Sequence, residues 1–490
     1  MNKSTVVNQA ARSLKWSALG SILPRLVTPL TTAVLAALLS EADFGIIAAA
    51  MAVIALAQIV VEMGLGAAVI QREQQAEEVA SLALWLSLLV GLMLYAVLWL
   101  AAPALAAFYT IPELTAVLRV VGLGLPLAAL ISIPNALLTR DMAFRQLFWI
   151  GAMPQIATAL GSLLLALLGL GYWALVGGYL LGRVLHVALV WRASHWRPRW
   201  LWQTSLVGQL LRFSAWVLLS GFQTWLFLYA DNLLVGYFYN TEQLGIYSLG
   251  FNLANILPGM LASSLAYVAY PAFSRLQADR RAVGDSLMKL QALAGALLFP
   301  VCLGMAALAE PAITLLYGQK WAGLGWTLGF FAVMPGLSNI WSLNAEAYRA
   351  VGRPDVWAKV AGLTLLLMFP LLLLGGRLEY NRFVMLRFAA AFLLPLFNIW
   401  AAARLLHIPL AAQWRSWRVP LIWALLMFAA VVALRTLLAP FDGWAGWGKL
   451  SLLAVCGAGI YSIGMRLTDR ALFNQFLLSV KRMGLAPQSE

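Results

Sequence analysis

Charge is scarce in this sequence. Only 11% of its 490 residues are Asp, Glu, Lys or Arg, against 62% hydrophobic, whereas a soluble domain carries about 25% charged residues; a water-soluble fold is excluded. Cysteine is scarcer still. Cys302 and Cys456 both fall inside apolar stretches far apart in the chain, which argues against a disulfide framework and offers no metal-ligand spacing. The sequence contains neither Gly-x-x-x-x-Gly-Lys-Ser/Thr nor His-Glu-x-x-His, so it lacks the loop that cradles nucleotide phosphates and the paired histidines of a zinc hydrolase. Long polar segments are also missing: no expected loop exceeds about 20 residues, the length of a single membrane span, which leaves no room for a soluble domain. No cofactor, no metal and no enzymatic activity are expected.

What the chain has is about fourteen apolar stretches of spanning length. They define an all-α polytopic membrane protein with about 14 transmembrane helices. The first strong span begins near Leu14, contains Pro24 and Arg25 and has no small-residue cleavage site, so it reads as a retained helix and not a signal peptide. An even number of spans puts both termini on one side. If that side is the cytoplasm, its loops and tails hold 24 of the 33 Lys and Arg and the opposite loops hold 5. This is the positive-inside bias. The net charge of +14 is then mostly topogenic, and no nucleic-acid partner is expected.

Short echoes point to an internal repeat. Phe44-Gly45-Ile46 and Leu244-Gly245-Ile246 each open a helix after a short polar turn, and Asn135-Ala136 with Arg140 is echoed by Asn344-Ala345 with Arg349. Together they suggest two six-helix bundles in parallel orientation, related by a pseudo-twofold along the membrane normal. The expected organisation is a first bundle over residues 1–191, a cytoplasmic linker over 192–212, a second bundle over 213–404, and two further helices with a cytoplasmic tail over 405–490.

Ionisable groups inside membrane helices are costly and normally line a polar path. In the first helix Ser17, Ser21, Arg25, Thr28 and Thr32 share one face, with Arg25 near mid-bilayer, where a guanidinium reads as an anion site suited to phosphate; the alternative is neutralisation by Glu62. The second helix presents Gln58, Glu62 and Gly66 on one face, and the sixth presents Tyr179, Arg183 and His186. Arg119 lies near an end of the fourth, where it either snorkels to the interface or joins the anion site. His186 alone reads as a packed histidine. In the second half Ser220, Thr224 and Asp231 share a face, and Ser248, Asn252, Asn255, Gly259 and Ser263 form a stripe. Asp231 beside Asn232 is a candidate for a coupling proton or sodium ion, or else a carboxylate paired with Arg387 or backbone. Glu310 reads as interfacial. Glu346 reads as a rim charge or as a gate partner of Arg349 or Arg353. A hydrated cavity with one cationic and one acidic wall would relieve these charges and suggests a substrate with an anionic head. Trp and Tyr serve as interface anchors by default.

The stretch from Asp43-Phe44-Gly45-Ile46 to Gly64-Leu65-Gly66-Ala67-Ala68-Val69-Ile70-Gln71, together with the span count and the repeat, resembles the polysaccharide-transport branch of the MOP exporter superfamily, the Wzx-type flippases most of all. The resemblance implies movement of an undecaprenyl-diphosphate-linked oligosaccharide, a unit of O-antigen, exopolysaccharide or capsule, across the bacterial inner membrane by alternating access. It implies a pyrophosphate site at Arg25, joined by Arg183 and Arg119, with Ser21, Thr28, Glu62, Asn252 and Asn255 lining the cavity and Asp231 and Asn232 as the ion-coupling candidates. Glu62 stands where many relatives have Asp. Implied partners are the lipid-linked oligosaccharide, membrane lipids, a proton or sodium ion, and glycan polymerase or export proteins. The competing readings are a cation-coupled drug exporter, whose cavity should be acidic, and a membrane glycan polymerase or ligase, which needs a substantial outer loop; a non-transporting scaffold would leave the polar stripes without a purpose.

Overall fold

The computed structural model describes residues 27–71, 76–200, 204–438 and 446–482. Among these residues the regular structure is helical: α1 (Val27–Leu38), α2 (Glu41–Glu62), α3 (Leu65–Gln71), α4 (Ala76–Tyr109), α5 (Leu114–Val121), α6 (Gly124–Arg140), α7 (Phe144–Leu167), α8 (Tyr172–Ser194), α9 (Thr204–Phe238), α10 (Thr241–Ser274), α11 (Arg280–Tyr317), α12 (Ala322–Phe331), α13 (Met334–Ala350), α14 (Pro354–Gly375), α15 (Tyr380–Ala390), α16 (Leu393–Leu405), α17 (Leu410–Leu437), α18 (Gly446–Thr468) and α19 (Arg470–Arg482). Among the described residues eleven helical segments are long and apolar enough to cross a membrane. The three other expected spans correspond to α1, described from Val27 onward, to α9, and to α12 with α13. The last pair is diluted by Ser338, Asn339, Asn344 and Glu346. Large apolar side chains such as Leu100 (80% exposed) and Leu366 (68%) point outward, which is the expected finish for a surface bathed in lipid.

Several spans are broken. Between α2 and α3, Met63 and Gly64 take left-handed conformations (φ 46° and 66°). The α5–α6 span breaks at Gly122–Leu123 and the α12–α13 span at Ala332–Val333, positions that fall within one residue of each other when the Asn135 and Asn344 echoes are aligned.

Packing divides the chain into two compact units, residues 1–248 and 249–490. The first unit takes in α1 to α9 and the opening turns of α10. Two equivalent caps start its key helices. Ser40 accepts from the Asp43 N–H while Asp43 accepts from the Ser40 N–H, and Asn240 accepts from the Gln243 N–H while Gln243 accepts from the Asn240 N–H. Both are capping boxes, which satisfy first-turn donors reciprocally. The other oxygen of Asp43 accepts the Tyr172 N–H at 2.9 Å, tying the start of α8 to the start of α2.

The echo at Gly45 and Gly245 has a steric cause. A Cβ on Gly45 would run into the Thr241 carbonyl, and a Cβ on Gly245 into the Glu41 carbonyl. The contact maps onto itself when positions 200 residues apart are exchanged. Small residues of this kind let membrane helices approach to backbone contact.

The second unit buries Trp321, Tyr348, Phe273, Phe331 and Phe383 completely. Its interior polar groups form a network: Gln291 donates to Asn344 at 2.7 Å, and Asn344 and Tyr348 both donate to the Asn398 carbonyl at 3.3 Å. Satisfaction of this kind is what permits amides in a dry interior.

Gly245→Val is expected to destabilise the protein by about 1–3 kcal/mol or more through overpacking at the crossing. Gly259→Val, with nothing within 4 Å of its Cβ, is expected to be neutral. Thermal unfolding in detergent compares the two.

Candidate functional site

Helix α8 leans on α7 through Gly178 and Gly182, whose Cβ positions would collide with Ser162 and Thr158. This small-xxx-small contact fixes the helix by its narrow face. Tyr179, Arg183 and His186, at i, i+4 and i+7, lie on the adjoining face. The Tyr179 hydroxyl accepts a hydrogen bond from Gln58 Nε2 of α2 at 3.1 Å. A Cβ on Gly124 of α6 would run into the same hydroxyl, so α6 closes the third side. The Arg183 guanidinium lies over the Tyr179 ring, 5.3 Å from its centroid, a cation–π geometry. It also acts electrostatically on Glu62 and His186. His186 Nε2 is buried without a hydrogen-bond partner.

Glu62, one turn beyond Gln58, is exposed. It opens into a cavity of about 330 Å³ between α2 and α9, lined by Gln58, Ile59, Glu62, Thr224, Trp225 and Tyr229. Trp225 Nε1 donates to the Ala52 carbonyl at 2.9 Å and holds the two helices together at the wall. The cluster therefore offers a cation with free donors, a carboxylate, an unsatisfied imidazole nitrogen and an accessible space. That arrangement suits an oxyanion approaching Arg183 while Glu62 limits the net positive charge.

The other candidates are distributed differently. Arg25 and Ser21 lie outside the described residues, as does Ser17. Thr28 is on α1 and has an interaction partner. Arg119 sits apart from Arg183, 4.8 Å above the Trp99 ring with a long hydrogen bond to the Trp99 carbonyl. Asp231 is sealed, 1% exposed, and accepts from the Tyr247 hydroxyl at 3.0 Å and from the Asn232 N–H at 2.9 Å; Asn232 is buried beside it, its own Oδ1 unpartnered. Asn252 is exposed and Asn255 donates to the Phe251 carbonyl at 2.8 Å, both in the second unit. Arg387 is buried there and partnered. Glu310 is ion-paired with Arg435 and Glu346 with Arg349, while Arg353 engages Asp355 at 2.9 Å.

Tyr247 is the partner that sequence reasoning missed. Asp231 and Tyr247 lie at similar distances on either side of the α9–α10 turn, so counting outward from the turn would have paired them. The Gln58–Tyr179 bond joins the polar face of α2 to that of α8.

Fold and site define a multi-pass helical membrane protein with an accessible charged cluster inside its first unit. The chain belongs to the polysaccharide biosynthesis protein family, whose model matches residues 34–324. It is similar to the succinoglycan biosynthesis transport protein ExoT of Rhizobium meliloti, 28% identical over 484 residues with 97% of each chain covered. It is also similar to the lipopolysaccharide biosynthesis protein WzxC of Escherichia coli, 22% identical over 375 residues and 74% of each chain. Among solved structures, the lipid II flippase MurJ in an inward closed conformation matches with a TM-score of 0.77 at 13% identity, over 94% of this chain and 99% of its own. An inward-facing multidrug resistance MATE family transporter of the MOP superfamily matches with a TM-score of 0.58 at 15% identity, over 79% of this chain and 98% of its own. The fold is the one these two structures share with this chain.

Tyr247→Phe and Asp231→Leu are expected to be non-additive in a double-mutant cycle of thermal stability, with a coupling of about 1.5–3 kcal/mol for a hydrogen bond to a charged group. Additivity would mean the bond does not form.

Proposed function

We propose that the protein moves a polyprenyl-diphosphate-linked oligosaccharide across the bacterial cytoplasmic membrane by alternating access, with both termini cytoplasmic. The observation that carries this reading is Arg183. It is a guanidinium within a membrane span, lying over the Tyr179 ring that Gln58 holds and acting on Glu62, which lines an accessible cavity, in a chain whose family and relatives belong to polysaccharide biosynthesis. A diphosphate is the group such a fork grips best, because two parallel N–H···O bonds match its oxygens. Arg25 is the second cation we assign to the diphosphate, from its place on the polar face of the first helix. Arg119 is a peripheral member, available to the headgroup before or after it reaches Arg183. Asn252 and Asn255 remain the proposed sugar-facing amides.

The polyprenyl chain needs an apolar path of its own. A groove of about 490 Å³ in the second unit, bounded by Leu257, Pro300, Met305, Met427, Ala458 and Phe476 among others, provides one in contact with lipid. Coupling to a proton or sodium ion is assigned to Asp231 and Asn232, with release of the Tyr247 hydroxyl as the step that opens the carboxylate. The repeat is read as two six-helix bundles over 1–191 and 213–404, with the linker 192–212 between them and the helices of 405–490 appended. The matching breaks in α5–α6 and α12–α13 support it. The compact units divide later, at 248, because α9 packs along α2. The drug-exporter alternative calls for an acidic cavity; Glu62 is the charged residue that lines this one, and the arginine acting on it from α8 weighs against that alternative.

Arg183→Ala is expected to lower glycan export by about 10- to 100-fold, the loss of one or more charge-assisted hydrogen bonds, with the protein still present in the membrane. Arg183→Lys should fall between. Arg25→Ala should abolish export in the same way. Cell-surface polysaccharide and membrane-fraction immunoblots measure both; normal export by Arg183→Ala would remove that residue from the mechanism.

A further inference from the structure

We propose a second anion site, for the phosphate of a lipid, where α17 ends and α18 begins. On α17, Met427, Val431 and Arg435 recur at i, i+4 and i+8. On α18, Lys449, Leu453, Gly457 and Tyr461 recur with the same spacing. Each helix thus presents an apolar row headed by a cation. The two cations, with Glu310, Thr314 and Thr436, line a cavity of about 550 Å³. The apolar rows line the groove of about 490 Å³ described above, and Leu453 belongs to both walls. The chamber that holds both cations and the apolar channel therefore share a boundary.

Among the described residues that line the cavity the charges add to one positive. Arg435 is ion-paired with Glu310, which occupies one side of its donor fork and leaves the rest. Lys449 is half-buried and has no ionic partner among the described residues. A single anionic phosphate would balance the group. The dimensions match a lipid as well. From Lys449 to Tyr461 α18 rises about 18 Å, close to one leaflet of a hydrocarbon core about 30 Å thick. A headgroup phosphate seated between Arg435 and Lys449 would lay one chain along Leu453, Gly457 and Ala458 toward Phe476. This site lies in the second unit and shares no residue with the Arg183 cluster.

The phosphate has two sources, a bilayer phospholipid or the diphosphate of a polyprenyl carrier; the second rests on the transport reading proposed above. Both are probed by native mass spectrometry of the full chain in detergent, carrying Arg183→Ala so that the first proposed site is disabled. The probes are farnesyl diphosphate, dilauroyl phosphatidylglycerol and, as a tail-less control, inorganic diphosphate. Lys449→Gln is expected to weaken binding of the lipids about tenfold, the loss of a hydrogen bond between charged groups, and Lys449→Arg to restore it. Ala458→Phe, which fills the groove from an exposed position, is expected to weaken both lipids and leave inorganic diphosphate unchanged. Unaltered melting temperatures establish that the variants are folded. Tighter binding of farnesyl diphosphate would identify the carrier, and tighter binding of phosphatidylglycerol the bilayer lipid; either supports the site. Lipid binding that is indifferent to Lys449→Gln, or that is already absent in Arg183→Ala, overturns it. The transport reading fails on a different result, normal export by Arg183→Ala, which this binding experiment does not touch.

Discussion

A guanidinium within a membrane span must keep its water or replace it, and the first unit is arranged around that requirement. Left bare in hydrocarbon, an arginine at the centre of a helix costs roughly 2.5–3.5 kcal/mol on insertion scales. Around Arg183 the replacement is specific: the face of Tyr179 beneath it, the Gln58 amide fixing that ring, and the charge of Glu62 within electrostatic reach. None of these uses up all five guanidinium donors. The close approach of α7 and α8 through Gly178 and Gly182 sets where the cluster stands, and Gln58 and Glu62 open it to the cavity between α2 and α9.

The two units place their charged groups differently. In the second, the amides of Asn344 and Asn398 join Tyr348 in a network that leaves Asn398 Oδ1 without a partner, and carboxylates such as Glu310 and Glu346 are matched by an arginine of their own. In the first, Arg183, Glu62 and His186 are left partly unsatisfied while Asp231 is sealed by Tyr247. A partly satisfied charged cluster is poor at stabilising a fold and well suited to receiving a ligand, because the ligand brings the missing partners. The reciprocal seating of Gly45 and Gly245 adds a constraint of another kind. It brings the opening turns of α2 and α10 to backbone contact at positions where the sequence repeats itself.

Helical class, membrane residence and the polar faces of α2 and α8 were legible from composition and spacing alone, because hydropathy reports span length and a period of 3.6 reports faces. That rule groups Gln58 with Glu62, which line one cavity, and Tyr179 with Arg183, which stack, but it also adds Gly66 to the α2 face, and the break at Met63–Gly64 puts that residue on α3. Periodicity carries no information about depth or about which faces meet, so the burial of Asp231 and its bond to Tyr247 were not legible, nor was the choice of Trp99 as the seat of Arg119. The breaks at Met63–Gly64 and Ala332–Val333 escaped hydropathy for a related reason: a turn within an apolar run changes direction without changing composition. The role of the glycines became visible only with coordinates, since Gly45 and Gly245 matter for what a Cβ would strike and not for any chemistry they carry.

Whether the charged cluster receives a lipid-linked diphosphate is tested most directly by identifying lipids that copurify with the wild-type protein and with Arg183→Glu from cells making their native glycan. The account expects a polyprenyl-diphosphate glycan retained by the wild type and lost from Arg183→Glu. Retention of that lipid by Arg183→Glu at wild-type occupancy, or recovery of small organic cations alone from the wild type, would contradict it.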